Sequence, residues 1–88
     1  MTARETEIRQ FVIENFLFGQ DKNLNNSQSF LDSGIIDSTG VLELIGFLES
    51  QYGISIQDDE LVPSNLDSVE RVARFVEGKL NAKGAGVA

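Results

Sequence analysis

Apolar residues recur at helical spacing in three separate stretches of the chain. In the first stretch, four of them share one face: Ile8, Phe11, Val12 and Phe16. Thr2 and Glu5 have the spacing of a capping box, in which each side chain bonds a backbone N–H group at the helix start. The pattern therefore predicts a first helix that begins near Thr2 and ends at Gly19, a residue suited to a left-handed stop.

The second stretch predicts a helix from about Ser38 to Tyr52, which Gly53 would end. Its inward-facing residues are Val41, Leu44, Ile45, Leu48 and Tyr52. The opposite face is polar, begins at the hydroxyl of Ser38 and carries Thr39, Glu43, Gly46 and Ser50. This two-sided pattern is typical of a helix that packs on a core through one face.

The third stretch predicts a helix that begins near Asp67, because this carboxylate can cap it while Glu70 follows three residues later. Its apolar stripe consists of Val69, Val72, Ala73, Val76 and Leu80. The closing residues Gly-Ala-Gly-Val-Ala are typical of a frayed end. We therefore predict one domain over residues 1–82 and a flexible C-terminal tail over residues 83–88.

Residues 20–37 connect the first two helices and are rich in Asn, Asp, Ser and Gly, which compete with regular structure. We expect a long ordered loop that four apolar residues pin to the core: Phe30, Leu31, Ile35 and Ile36. Loops of this length are uncommon in compact domains and are usually functional or disordered. The pinning residues favour a functional loop.

Two short features lie between the second and third helices. Residues 54–56 alternate like a strand, but no other segment offers a partner, so we predict a loop. Asp58, Asp59 and Glu60 predict one acidic helical turn, and Pro63 is expected to prevent its continuation.

The predicted fold class is all-α, because three amphipathic helices can bury their apolar stripes only against each other. The expected architecture is a small bundle of three main helices plus a short acidic helical turn, with a long loop between the first two helices. Four aromatic residues are predicted to belong to the core rather than to line a cavity: Phe11, Phe16, Phe47 and Phe75.

Composition excludes several kinds of chemistry. A chain of 88 residues is about one small domain, in which a deep enzyme active site is not expected. It has no cysteine and no histidine, which excludes disulfides, thiolate metal sites, cysteine nucleophiles and histidine bases. A formal charge of -7 argues against nucleic acid as a partner and favours a basic protein surface.

The chain also lacks the sequence features of a membrane protein. No apolar run approaches the roughly 20 residues that cross a bilayer, and the N-terminal residues lack the apolar segment of a signal peptide. We therefore expect cytoplasmic residence, and a monomer is the expected state for an acidic domain of this size.

The strongest candidate for a functional site is the pair Asp37-Ser38, where the pinned loop meets the second helix. A serine at a helix start usually serves as a cap. A phosphodiester on Ser38 would nevertheless be stabilised there by the helix dipole and by free N–H groups. The loop would also present the hydroxyl at the surface.

The ordered set of features around this pair resembles the acyl carrier protein and peptidyl carrier protein family, and the resemblance covers nearly the whole chain. The matching residues are Phe30, Gly34, Asp37-Ser38, Glu43-Leu44, Tyr52, Ile56 before the acidic turn, and the last helix from Asp67. The resemblance implies that Ser38 carries 4'-phosphopantetheine derived from coenzyme A. It also implies that Asp37 helps a phosphopantetheinyl transferase to position magnesium and coenzyme A.

By the same resemblance, the protein catalyses nothing and holds an acyl or aminoacyl group as a thioester on the arm, whose thiol the chain itself lacks. Its partners would be an acyl or aminoacyl ligase, or an acyltransferase, with a basic docking surface. The implied partner-binding residues are Thr39, Glu43, Gly46, Glu49, Asp58, Asp59 and Glu60.

Three departures from the family pattern favour a specialised carrier over the housekeeping carrier of fatty-acid biosynthesis. Thr39 replaces the leucine that commonly follows the modified serine, and Gly46 replaces an outward-facing methionine. The loop between Asp32 and Asp37 is one residue longer than in fatty-acid carriers, and resembles stand-alone carriers that serve adenylating ligases, including D-alanyl carriers. The sequence leaves the cargo and the pathway open.

Two other functions fit parts of the sequence. An unmodified acidic interaction module would bind a basic protein without any modification of Ser38. A small hydrolase with Ser38 as its nucleophile would need a base, for which the chain offers only carboxylates or Lys22, Lys79 and Lys83.

Overall fold

The computed structural model describes residues 3–19 and 24–87, with side chains up to residue 81. Within these ranges all regular elements are helical, which confirms the all-α prediction. The α-helices are α1 (Ala3–Phe16), α2 (Phe30–Ser33), α3 (Ser38–Tyr52), α4 (Pro63–Leu66) and α5 (Val69–Val87). A 3-10 turn over Asp58–Glu60 forms the predicted acidic turn, and residues 54–56 are a loop, as predicted. No described helix is long and apolar enough to cross a membrane.

Helix α1 ends through two bonds to one carbonyl. Leu17 and Gly19 donate their N–H groups to the carbonyl of Ile13, over 3.2 Å and 2.9 Å. Gly19 has the predicted left-handed backbone, with φ 82°, but Phe18 before it is also left-handed, with φ 54°. The predicted cap Thr2 lies outside the described residues.

Helix α3 begins and ends where the sequence predicts. The carboxylate of Asp37 caps its start, and Gly53 ends it in a left-handed conformation with φ 63°. Gly40 in its first turn is buried against the end of α1, since a Cβ atom there would lie only 2.8 Å from the Phe16 ring. The end of α1 therefore adjoins the start of α3.

The two shortest helices were not predicted. Helix α2 lies inside the segment predicted as a loop, because Ser29 caps it by accepting a 3.0 Å bond from the N–H group of Asp32. The acidic turn ends at Glu60 and does not continue past Pro63, as expected, but Pro63 itself begins helix α4, because proline is suited to the first position of a helix. Leu31 in α2 is half exposed, so its predicted role as a pinning residue is wrong, whereas Phe30 and Ile36 are buried.

The prediction that Asp67 caps the last helix is wrong. Asp67 ends α4, so α5 begins after it and is capped by Ser68, whose buried hydroxyl accepts a 3.1 Å bond from the N–H group of Arg71. The carboxylate of Asp67 instead accepts bonds from the Ser29 hydroxyl and from the N–H group of Leu31. Asp67 thus ties the start of α5 to α2.

The backbone of α5 remains helical through Val87, beyond the point where a tail was predicted. The flexibility of residues 83–88 and the domain limits at residues 1–82 stay predictions.

The core forms where α5 packs against α1 and α3. The predicted stripe of α5 is buried at Val69, Val72, Ala73 and Val76, and the four core aromatic residues pack against the buried cluster, as predicted. The rings of Phe11 and Phe47 stack with their centroids 4.1 Å apart. Contacts with α1 and α5 therefore position α3, the helix that begins at Ser38.

Candidate functional site at the start of helix α3

Ser38 is the first residue of α3, and its side chain is exposed. Asp37, the residue before it, takes the capping role through a 2.7 Å bond that its Oδ1 accepts from the N–H group of Gly40. Among the described residues the Ser38 hydroxyl has no hydrogen-bond partner. The usual reason for a serine at a helix start therefore does not apply here, and the hydroxyl is available for chemistry.

The electrostatic environment of Ser38 suits a phosphate. The first turn of a helix carries partial positive charge on N–H groups that lack intrahelical partners. Because α3 has 15 residues, its aligned peptide dipoles favour an anion at this end. A phosphodiester on Ser38 would therefore lie where this partial charge is positive.

A groove of about 220 Å³ begins at Ser38. It lies between the start of α3, helix α2 and the segment that leads into α4. Its lining residues are Phe30, Leu31, Ser38, Val41, Leu61, Val62, Pro63, Leu66 and Asp67. The lining is largely apolar, and two of its walls are the short helices that the sequence did not predict. An extended chain attached to Ser38 could therefore lie against apolar side chains.

Asp67 holds the walls of this groove together. Its backbone carbonyl accepts a 2.8 Å bond from the N–H group of Phe30, and its Oδ1 accepts a 3.0 Å bond from that of Leu31. Asn26 adds a second tie, because its carbonyl accepts a 2.8 Å bond from the N–H group of Glu70. The loop that carries α2 is thereby fixed to the start of α5.

Three of the predicted partner-binding residues lie on the exposed face of α3. Thr39, Glu43 and Gly46 are all exposed, and no heavy atom would lie within 4 Å of a Cβ on Gly46. Leu42 lies beside them with 65% of its surface exposed, and the sequence interpretation did not name it. Its position one turn after Ser38, outside the apolar stripe of α3, was the signal that could have revealed it.

The four other predicted acidic residues divide into two kinds. Asp58 and Asp59 are exposed in the 3-10 turn. Glu49 accepts a 2.9 Å bond from the N–H group of Ile56, and so supports the loop after α3. The carboxylate of Glu60 accepts a 2.9 Å bond from Lys79. The bond from the Gln57 N–H group, followed by the bond from Lys79, lowers the pKa of the Glu60 carboxyl. The structure therefore gives Glu49 and Glu60 structural contacts, and their partner role stays a prediction.

The hydrolase alternative finds little support in this geometry. Lys79 bonds Glu60 rather than Ser38, Lys22 lies outside the described residues, and Lys83 has no described side chain. No cluster of potential metal ligands occurs among the residues that the structure describes.

Comparison with known proteins points to one family. The family model described as "Phosphopantetheine attachment site" matches residues 16–76. D-alanyl carrier protein 1 of Lactiplantibacillus plantarum is 31% identical over 77 residues, which cover 88% of this chain and 96% of that protein. The matched range contains Ser38 and the groove beside it.

Two solved structures have the same fold. The holo acyl carrier protein from Nitrosomonas europaea superposes with a TM-score of 0.75 at 26% identity, covering 91% of this chain and 99% of that one. The structure named KstB-PCP, in its apo form, superposes with a TM-score of 0.70 at 35% identity. That match covers 83% of this chain and 81% of the other.

Proposed function

This chain belongs to the phosphopantetheine attachment-site family of carrier proteins, and from that premise we propose that Ser38 is the residue that bears the 4'-phosphopantetheine arm. The protein is a specialised carrier, which holds an acyl or aminoacyl group on the covalent arm. The observation that supports Ser38 is its exposed hydroxyl at the start of α3. This hydroxyl does not cap the helix, because Asp37 accepts the capping bond instead.

The attachment reaction transfers the phosphopantetheine group from coenzyme A to the Ser38 oxygen. The Ser38 oxygen forms a bond to phosphorus as the pyrophosphate bond of coenzyme A breaks, the nucleotide leaves, and a base of the transferase takes the hydroxyl proton. When bound, the arm supplies the thiol that this chain lacks, and the cargo is held there as a thioester. The N–H groups at the start of α3 stabilise the phosphodiester.

Asp37 is proposed to act in this reaction as well as in the fold. One carboxylate oxygen, Oδ1, caps α3 at 2.7 Å from the Gly40 nitrogen. The other oxygen has no hydrogen-bond partner among the described residues, so it can reach a magnesium ion held by the transferase.

The groove favours a small cargo. Pockets that enclose drug-sized ligands have volumes of about 300–1,000 Å³. The groove beside Ser38 is smaller, about 220 Å³, and the arm itself would occupy part of it. We therefore expect an aminoacyl or short acyl cargo. The resemblance of residues 33–36 to carriers that serve adenylating ligases favours activation by such a ligase. The similarity to a D-alanyl carrier supports this class.

The partner surface is proposed to be the exposed face of α3 together with the acidic turn. Thr39, Glu43 and Gly46 form one part, and Asp58 and Asp59 form the other. The chain's charge of -7 complements a basic docking surface on a ligase, an acyltransferase or a phosphopantetheinyl transferase. Glu49 and Glu60 would contribute to the field at a distance rather than by direct contact.

Several finer properties belong to the same proposal. The protein catalyses nothing itself, works as a monomer, and resides in the cytoplasm, where coenzyme A and ATP supply the arm and activate the cargo. Its pathway would lie in lipid biosynthesis, outside housekeeping fatty-acid synthesis. The family match favours this function over an unmodified interaction module.

Intact-mass spectrometry tests the proposal. The wild-type protein is incubated with coenzyme A, magnesium and a broad-specificity phosphopantetheinyl transferase, beside Ser38→Ala and the control Ser50→Ala, which changes another exposed serine of α3. Wild type and Ser50→Ala are expected to gain one phosphopantetheine group, and Ser38→Ala none. No gain on a folded wild-type protein would leave the interaction module as the better hypothesis.

A further inference from the structure

Most of the exposed large hydrophobic side chains of the described residues lie near Ser38. They are Phe18, Leu31, Leu42, Leu61 and Val62. Leu31, Leu61 and Val62 line the groove that begins at Ser38, and Leu42 lies one turn further along α3. Exposed apolar patches on small proteins usually mark interaction sites.

Phe18 has the most exposed side chain of this group, with 87% of its surface accessible. It follows α1 in the left-handed position where helices usually place glycine, with φ 54°. A bulky residue with positive φ is strained, and at this exposure its ring gains almost nothing from burial. The left-handed turn itself is useful, because it lets the Gly19 N–H group bond the carbonyl of Ile13 and close α1. The aromatic ring adds almost nothing to the stability of the isolated chain, and a smaller residue would form the turn with less strain.

Phe18 lies at the same end of the bundle as Ser38. Two residues before it, Phe16 contacts Gly40, which is two residues after Ser38. Each of these two-residue steps spans at most about 7 Å, and the Phe16 side chain bridges the remaining distance to Gly40. Phe18 and Ser38 are therefore separated by no more than about 20–25 Å. A standard protein interface covers about 800 Å² per partner, a patch about 30 Å across. One partner can therefore cover both residues.

We propose that Phe18 is an aromatic anchor for the phosphopantetheinyl transferase, inserted into an apolar pocket with a basic rim. The inference rests on the proposed attachment at Ser38. The transferase must reach the Ser38 oxygen itself, so it has to cover the surface around that residue. Enzymes that act at the far end of the arm need not approach so closely. Exposed aromatic residues are frequent anchors of this kind.

Charge supports a basic rim and argues against a second copy of this chain. The exposed carboxylates Asp32, Asp37 and Glu43 lie around the start of α3. The basic side chains that the structure describes all bond within the chain: Arg4, Arg9, Arg71, Arg74 and Lys79. Two chains that each carry a charge of -7 would repel each other.

Steady-state kinetics of arm transfer tests the anchor. Wild type, Phe18→Asn and Phe18→Tyr are compared with coenzyme A, magnesium and a broad-specificity phosphopantetheinyl transferase, with product followed by intact mass. Asparagine tolerates positive φ, so the melting temperature of Phe18→Asn should be unchanged or raised by up to about 8 °C. We expect Phe18→Asn to lower kcat/KM about tenfold, chiefly through KM. Phe18→Tyr keeps the ring and should stay within about twofold of wild type.

The outcomes separate the hypotheses. Unchanged KM for Phe18→Asn, while wild type is modified, overturns the anchor but leaves attachment at Ser38 intact. No modification of wild type overturns both. A wild-type dimer in sedimentation that Phe18→Asn dissociates would assign the residue to self-association instead. If Phe18→Asn melts below wild type, Phe18→Gly replaces it, because glycine adopts positive φ without strain.

Discussion

Asp37 caps helix α3 through the N–H group of Gly40, and this leaves the hydroxyl of Ser38, the next residue, in solvent. Asp37 supplies the helix cap and Ser38 supplies the exposed hydroxyl. A carboxylate bonds the first turn, and the hydroxyl stays exposed where the helix dipole favours a phosphate. Structure and chemistry at the site can therefore be separated by substitution.

Substitution of Asp37 should separate its capping role from its role in arm transfer. Asparagine is as good a cap as aspartate, whereas alanine lacks the acceptor and should cost about 1 kcal/mol of unfolding free energy. We therefore expect Asp37→Ala to be destabilised in urea denaturation, and Asp37→Asn to remain near wild type. If the carboxylate also serves magnesium, Asp37→Asn should still accept the arm several-fold more slowly. A wild-type rate for Asp37→Asn would confine this residue to capping.

Asp67 and Ser68 should affect different helices, although they are adjacent. Asp67→Ala removes the acceptor for Ser29 and Leu31, and should cost about 1–3 kcal/mol, since both hydrogen bonds are to a charged carboxylate. Ser68→Ala removes the cap of α5. In amide hydrogen exchange, Asp67→Ala should accelerate exchange at Leu31, and Ser68→Ala should accelerate it at Arg71. Faster exchange at the Arg71 amide in Asp67→Ala would instead indicate that Asp67 caps α5.

Two glycines of α3 should respond to alanine with opposite signs. At Gly40 a methyl group would lie 2.8 Å from the Phe16 ring and 3.0 Å from Ile36, so Gly40→Ala should be destabilised by about 1–3 kcal/mol. At Gly46 the methyl group would meet no neighbour, so Gly46→Ala should be stabilised by up to about 1 kcal/mol through helix propensity. Thermal denaturation of both variants measures this difference. Stabilisation by Gly40→Ala would show that α1 and α3 are further apart than described.

Tyr52, the one tyrosine of the chain, should titrate late. Burial, followed by the hydrogen bond that its hydroxyl donates to Glu7, raises its pKa to about 12, against an opposing effect of Arg4. Ultraviolet absorbance of the phenolate should therefore rise near pH 12 rather than near the ordinary value of 10. Glu7→Gln should lower this midpoint, and an ordinary midpoint in wild type would contradict the contact.

The sign of the corresponding stability change follows from linkage. The folded state holds the Tyr52 proton more tightly than the unfolded state, because its pKa is raised above 10. The stabilising contribution is therefore complete below about pH 10 and is lost as the pH rises toward 12. Tyr52→Phe should show less loss of stability than wild type over that interval.

The parts of the fold that could be predicted are those with local signals. Helix α3 was predicted at both ends because Asp37 and Gly53 punctuate a strong apolar stripe. Helices α2 and α4 have only four residues each and depend on distant contacts, such as that of Asp67 with Ser29. The spacing of residues along the sequence does not reveal such distant contacts, so Asp67 was predicted to cap the last helix, α5.

The same distinction holds for the candidate site. Ser38 and Asp37 could be predicted from their place before an amphipathic helix and from the family resemblance. The groove could not, because two of its walls come from α2 and α4. The exposure of Phe18 could not either, since it adjoins Phe16 and Leu17 in one apolar run, and only the left-handed turn after α1 directs it outward.

Fragment mass spectra of the modified protein test whether the arm is attached to Ser38. Wild-type protein is treated with coenzyme A, magnesium and a phosphopantetheinyl transferase, and the modified residue is located by its fragments. We predict that the added group lies on Ser38 alone, and that Ser38→Ala accepts no group while it folds normally. An added group on Ser33, Thr39 or another hydroxyl, or modification of Ser38→Ala, would show that Ser38 is not the attachment site.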